Sequence, residues 1–125
     1  MQKMIFLYWV LRILAAVILL QTLFFKFSGA EESIYIFSTL GMEPWGRIGT
    51  GIVELVASIL ILLPRTTAFG AVLAVGTMSG AIFFHLTRLG IEVRGDHGQL
   101  FIYALLVLIS AGILAWTFRK QLCVL

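Results

Sequence analysis

The chain has 125 residues, 61% of them hydrophobic and 12% charged, with a net charge of +3. Ordinary soluble domains are about half apolar and a quarter charged, so lipid rather than water must be the solvent for most of this surface. The small positive charge comes from basic residues flanking apolar runs, which excludes a nucleic-acid-binding face and fits membrane anchoring. The length suits a single domain over residues 1–125.

The first apolar run, Met4 to Phe25, has the length of about 20 residues that a spanning helix needs. Lys3 and Arg12 precede its apolar centre, and Ser28-Gly29-Ala30 supplies small residues near its end, so the segment has features of a cleavable leader. An uncleaved helix is the simpler expectation. The connection from Lys26 to Gly46 opens with Ser28-x-x-Glu31, the spacing of a capping box, followed by Ile34, Phe37 and Leu40 before Gly41. This pattern predicts a short amphipathic helix on the membrane surface.

A second run, Ile48 to Leu63, is shorter and contains Glu54; Gly46 and Arg47 extend it outwards to give a span over 46–63, which Pro64 stops. Only Pro64 and Arg65 separate it from the third span, Thr66 to Leu86, with Thr66 and Thr67 as expected N-caps, so the two helices must form a tight antiparallel hairpin. Thr87 to Gly98, with Arg88, Glu92, Arg94 and Asp96 among its residues, reads as a polar connector. The fourth span is Gln99 to Phe118, with Asp96-His97 placed to cap it. The expected fold is all-α, an integral membrane four-helix bundle with a short amphipathic surface helix in the first loop.

An even number of spans puts both termini on one side. Lys3, Arg65, Arg119 and Lys120 then face Lys26, Arg47, Arg88 and Arg94 across the bilayer, a tie in basic residues. Arg12 lies nearer the first side and the acidic residues gather towards the second, which leads to the expectation of cytoplasmic termini in a bacterial inner membrane. Cys123 is the lone cysteine and is followed by two residues. Intrachain disulfides and Cys-x-x-Cys chemistry are excluded, a prenylation box is not made, and an inert or palmitoylatable thiol is expected.

Polar residues within the spans carry what functional information there is. Arg12 falls about 12 Å into a core about 30 Å thick, and a central charge costs on the order of 2.5–3.5 kcal/mol, so it needs a partner. Glu54, about 10 Å in from the other side, is the expected one, with a gap of about 8 Å left for side-chain length and tilt to close. Arg47, Thr50, Gly51, Glu54 and Ser58 share a stripe, as do Ala74, Met78, Ala81, His85 and Arg88 on the third span. Arg12, Glu54 and His85 are therefore expected to form an intramembrane polar pocket or ion pair, with Lys26 and Arg47 at its mouth. Two readings remain open: a site for chemistry, or an ion pair that only locks helices together. No metal site is expected, because one His and one Glu within the spans do not make a ligand cluster. Gly76-x-x-x-Gly80 and Ala111-x-x-x-Ala115 are predicted packing faces or a homodimer face.

Taken together, Arg12, Lys26-Phe27-x-Gly29, Gly49-x-Gly51-x-x-Glu54 and His85 resemble the DoxX-like family of small four-helix membrane proteins, over nearly the whole chain. Phe24 and Phe25 stand where family members often carry small residues. The resemblance implies a four-helix bundle. It associates the family with quinone-linked thiosulfate oxidation, membrane oxidoreductase complexes and receptor-assembly chaperones, and it marks Arg12, Lys26, Glu54 and His85. Three functions follow as expectations: a subunit or accessory of a quinone-linked redox complex, with quinone as ligand and a redox protein as partner; a non-enzymatic assembly factor for other membrane proteins; or a small transporter acting as an oligomer.

Overall fold

The computed structural model describes residues 2–124. Five α-helices follow in chain order: α1 (Gln2–Ser28), α2 (Glu31–Thr39), α3 (Trp45–Leu62), α4 (Thr67–Phe84) and α5 (Gln99–Thr117). A π-helical turn over His85–Leu89 continues α4, and a 3-10 segment over Arg119–Val124 follows α5. No strand occurs among the described residues. α1, α3, α5 and the continuous helix Thr67–Leu89 are long and apolar enough to cross a membrane.

The distribution of side chains is that of a protein dissolved in lipid. Phe6, Phe24, Ile59, Phe83, Ile109 and Trp116 are all more than half exposed, whereas Arg12, Glu54 and His85 are buried. A water-soluble monomer would not expose apolar surface on every long helix. The chain is an integral membrane protein.

α1 packs on α3 and α5, and α4 packs on the same two helices, so the four long helices close a ring in which neighbours run antiparallel. Its shared core is built from small and branched residues, among them Ala15, Leu19, Ala57, Ile61, Ala74 and Val107. Lipid tails are as apolar as these side chains, so close packing rather than the hydrophobic effect must hold the helices together.

The α3–α4 hairpin is the tightest join. Leu63 leaves the helix in an extended conformation (φ −84°, ψ 123°), as a residue before proline must. Thr66 and Thr67 do not cap α4; their hydroxyls donate backwards, Thr66 to the Leu60 carbonyl (2.9 Å) and Thr67 to those of Ile61 (3.2 Å) and Leu63 (3.0 Å). Thr66 thereby satisfies the Leu60 carbonyl, which would otherwise bond the N–H that Pro64 lacks, and Thr67 adds bonds to other carbonyls at the end of α3. Gly70 lets the backbones meet: a Cβ there would lie 2.6 Å from the Ala57 oxygen and 2.7 Å from the Ile61 nitrogen.

The first loop differs from expectation in its cap. α1 runs on to Ser28, whose hydroxyl donates to the Phe25 carbonyl (3.3 Å), and Ala30 stands at the N-cap of α2 without a side-chain bond. The capping box is absent because its serine belongs to the helix before, which Gly29 ends at φ +69°. α2 turns Ser33 and Phe37 inwards and touches α1, α3 and the π-helical turn.

The last loop is anchored rather than merely polar. Val93 is buried, and Asp96 accepts from the amides of Val93 (2.9 Å), Gly98 (2.8 Å) and Leu100 (3.2 Å). Burial alone would raise the Asp96 carboxyl, but the three backbone donors, with His85 nearby, prevail and hold it below its ordinary value. Asp96 thus caps α5 from two residues before the N-cap, Gly98, which takes a left-handed conformation.

Candidate functional site

α3 and α4 touch at Gly70 near the hairpin and draw apart towards the other end of the ring. There a Cβ at Gly76 or Gly80 would meet nothing within 4 Å. The Gly76-x-x-x-Gly80 pair therefore lines open space instead of packing a neighbouring helix. The space is a cleft of about 970 Å³ bounded by all four long helices, with α2 across its end. Its walls are mainly apolar, from residues such as Ile18, Phe25, Ile36, Met78 and Phe84.

Glu54 lies in the cleft wall, buried to 1% exposure. The structure pairs it with Lys26, not with Arg12. The ammonium bonds both carboxylate oxygens, Oε2 at 2.6 Å and Oε1 in a closer contact. Thr22, one turn before Lys26 on the same face, lies 3.4 Å from Oε1 while its hydroxyl also reaches the Leu19 carbonyl (2.9 Å). The reason for the exchange of partners is helix length. α1 continues through Lys26, so that residue lies inside the bundle, and the antiparallel register sets Phe27 against Gly51. Arg12 is 14 residues earlier on the same helix, about 21 Å along its axis.

Arg12 is 5% exposed at the opposite end of the ring, its guanidinium over the rings of Trp9 (4.4 Å) and Phe118 (4.8 Å). It does not line the cleft. Arg47 does not line it either: Nη1 donates to the Lys26 carbonyl (2.5 Å), and Nε and Nη2 hold Glu43 at 3.0 Å and 2.9 Å. Arg47 thereby fastens the end of α1 to the start of α3 and fixes where the Lys26 side chain begins. Of the five residues marked by sequence, Lys26, Glu54 and His85 share the cleft.

His85 begins the π-helical turn, and its Nδ1 pairs with the Gly90 carbonyl (2.9 Å). A carbonyl only accepts, so Nδ1 carries a proton and the neutral ring keeps its Nε2 lone pair free to accept. The ring rests edge-on against Phe101. The π-helical turn also shifts the helical phase, which leaves Arg88 exposed although α-helical spacing aligned it with His85.

Further polar residues line the cleft, among them Glu32, Gln99 and Tyr103. Glu32 on α2 has a buried Oε1 without a hydrogen-bond partner among the described residues. Its one cue in the sequence is its place a turn before Ile36, another cleft residue. Gln99 and Tyr103 at the start of α5 bond each other (2.8 Å). No group of three or more His, Cys, Asp or Glu residues able to hold a metal occurs among the described residues.

The cleft thus combines apolar walls, one neutralised ion pair, a histidine acceptor and an unpartnered carboxylate oxygen. Such a combination suits an apolar molecule with a small polar head. No match was found among curated proteins or among solved structures. The model of the DoxX-like family matches residues 10–114, and the chain belongs to that family.

Proposed function

We propose that this protein is the membrane subunit of a quinone-linked redox complex, a four-helix bundle whose cleft receives a quinone or a similar lipid-soluble molecule. The observation that carries the reading is the cleft, which joins apolar walls to Lys26, Glu54, His85 and Glu32. Its volume of about 970 Å³ falls within the range of about 300–1,000 Å³ usual for small-molecule sites. The separation of α3 and α4 beyond Gly70 supports entry from the side, where a tailed molecule already resides in lipid.

The residues present fit such a ligand. A bound quinone would supply the electron-carrying chemistry, and a partner protein would complete the electron path. The protein's own groups bind, orient and handle protons. His85 Nε2 accepts a hydrogen bond from a hydroxyl head group, with the Nδ1 bond to Gly90 fixing the ring. Lys26 neutralises Glu54, so that the carboxylate adds polarity to the wall without an unbalanced charge in lipid. Glu32, on α2, offers its unpartnered oxygen as a second acceptor and a proton relay towards the surface. The termini lie on the side bearing Lys3, Arg12, Arg65, Arg119 and Lys120, in keeping with a cytoplasmic placement in a bacterial inner membrane.

Solvent extraction of the protein purified from native membranes, followed by chromatography, tests the assignment. A co-purifying quinone is expected. A quinone-free preparation that also fails to bind added short-chain quinone would remove this reading and favour an assembly role.

A further inference from the structure

Of the two buried charged side chains among the described residues, Glu54 and Arg12, only Arg12 lies outside the cleft. Its side chain is nine-tenths buried, its Nε is buried without a hydrogen-bond partner, and no protein acceptor bonds its terminal nitrogens among the described residues. The rings of Trp9 and Phe118 flank the guanidinium and satisfy its charge in part. They accept none of its protons in a normal hydrogen bond. A guanidinium held this way requires an anion.

Among the described residues no carboxylate side chain supplies one at that end. Lys3, Arg12, Arg65, Arg119 and Lys120 lie on the side of the helix termini and the α3–α4 hairpin, and all six carboxylate side chains are on the opposite half, Glu54 included. The head groups of the surrounding leaflet offer one. Two observations place Arg12 within reach of a head group, although the apolar run beginning at Met4 sets it about 12 Å inside the core. Phe118 is the C-cap of α5, so Arg12 sits level with the end of the spanning helix. The exposed rings of Trp9 and Trp116, the second of them stacked under Arg119, form an aromatic belt there.

We infer that Arg12, framed by Trp9 and Phe118 at the seam of α1 and α5, binds the phosphate of an anionic phospholipid in the adjoining leaflet, with Arg119 and Lys120 adding long-range attraction. A planar guanidinium suits a phosphate better than an ammonium does, because its fork of donors can bond two oxygens at once. The seat is separate from the cleft, and its occupation holds α1 against α5, two helices that share no side-chain hydrogen bond or ion pair among the described residues.

The test uses the full chain with Trp45 and Trp116 replaced by Phe, which leaves Trp9 as reporter, in vesicles of phosphatidylcholine carrying brominated phosphatidylglycerol or brominated phosphatidylcholine. Preferential quenching of Trp9 by the anionic lipid is expected, by about fivefold in relative affinity, the factor for one cation meeting an anionic head group. Arg12→Gln should remove most of the preference, leaving the part due to Arg119 and Lys120, and Arg12→Lys should lie between that variant and the Arg12 protein. Equal quenching by the two lipids in the Arg12 protein would overturn the inference without any variant having to fold. Displacement of the anionic lipid by millimolar inorganic phosphate would point to a free-anion site and overturn it too. A protein carboxylate as counter-ion would appear as equal quenching together with a co-purifying polypeptide lost from Arg12→Gln.

Discussion

At the scale of single residues, the Lys26–Glu54 pair determines how polarity is tolerated in the membrane. Removing one member of a buried pair strands the other and costs on the order of 3–5 kcal/mol, more than the pair itself contributes. Lys26→Met alone should therefore destabilise the protein strongly, and Glu54→Leu added to it should recover part of the loss. Arg12→Leu and Glu54→Leu should instead be additive to within about 0.5 kcal/mol, since they lie far apart. Unfolding in mixed micelles would measure both cycles; a coupling between Arg12 and Glu54 as large as that between Lys26 and Glu54 would contradict the observed pairing. Burial of Glu54 was legible in its position within an apolar run. Its partner was not, because composition does not mark where a helix stops, and Lys26-Phe27-Ser28 continue α1 past its apolar stretch.

Asp96 acts on a different variable. Its folded carboxyl is held below its ordinary value, so its contribution to stability is complete above that value and is lost as pH falls through the lower, folded one. Protection against hydrogen exchange at the start of α5, taken relative to the intrinsic rate at each pH, should fall on acidification below about pH 4 and change little between pH 5 and 7. Asp96→Asn should exchange faster at neutral pH and lose most of this acid response. Unchanged protection in that variant would show that the carboxylate does not hold the helix start.

Among the elements, the α3–α4 hairpin bears the closest backbone approach. A side chain at Gly70 would meet backbone atoms, which cannot rotate away. Gly70→Val should cost about 1–3 kcal/mol, the range for overpacking a close-packed site, whereas Gly76→Val and Gly80→Val should cost much less because their faces are open. Thermal denaturation of the three variants compares them directly. Equal losses would mean that the hairpin is not packed as described. The four spans and the hairpin were readable from hydropathy and Pro64 to within a few residues. Small-residue spacing did not place Gly76 and Gly80, since the same pattern serves a close contact, a homodimer face or a cleft wall, and in the single chain both line the cleft. The capping box misled for a related reason: Ser28 can cap α2 only if α1 has already ended.

Over the whole molecule, the closed ring presents apolar side chains to lipid on every side and keeps its polar groups in two separate places. One end holds the cleft and all six carboxylates; the other holds Arg12 and the unopposed basic residues. Division of this kind lets one end carry a ligand while the other anchors the protein in its leaflet. The cleft depends on all four long helices, α2 and the π-helical turn together, so no single stretch of sequence announced it. Its use as a ligand site is open to direct measurement, because Trp45 lies in its lining while Trp9 and Trp116 lie at the far end. In the variant with Trp9 and Trp116 replaced by Phe, titration with a short-chain quinone should quench Trp45 saturably. Gly80→Phe, which fills the cleft from an open position, should abolish the saturable phase and leave the fold intact. Quenching that rises linearly without saturation, or saturable quenching that Gly80→Phe does not alter, would contradict a ligand-binding cleft.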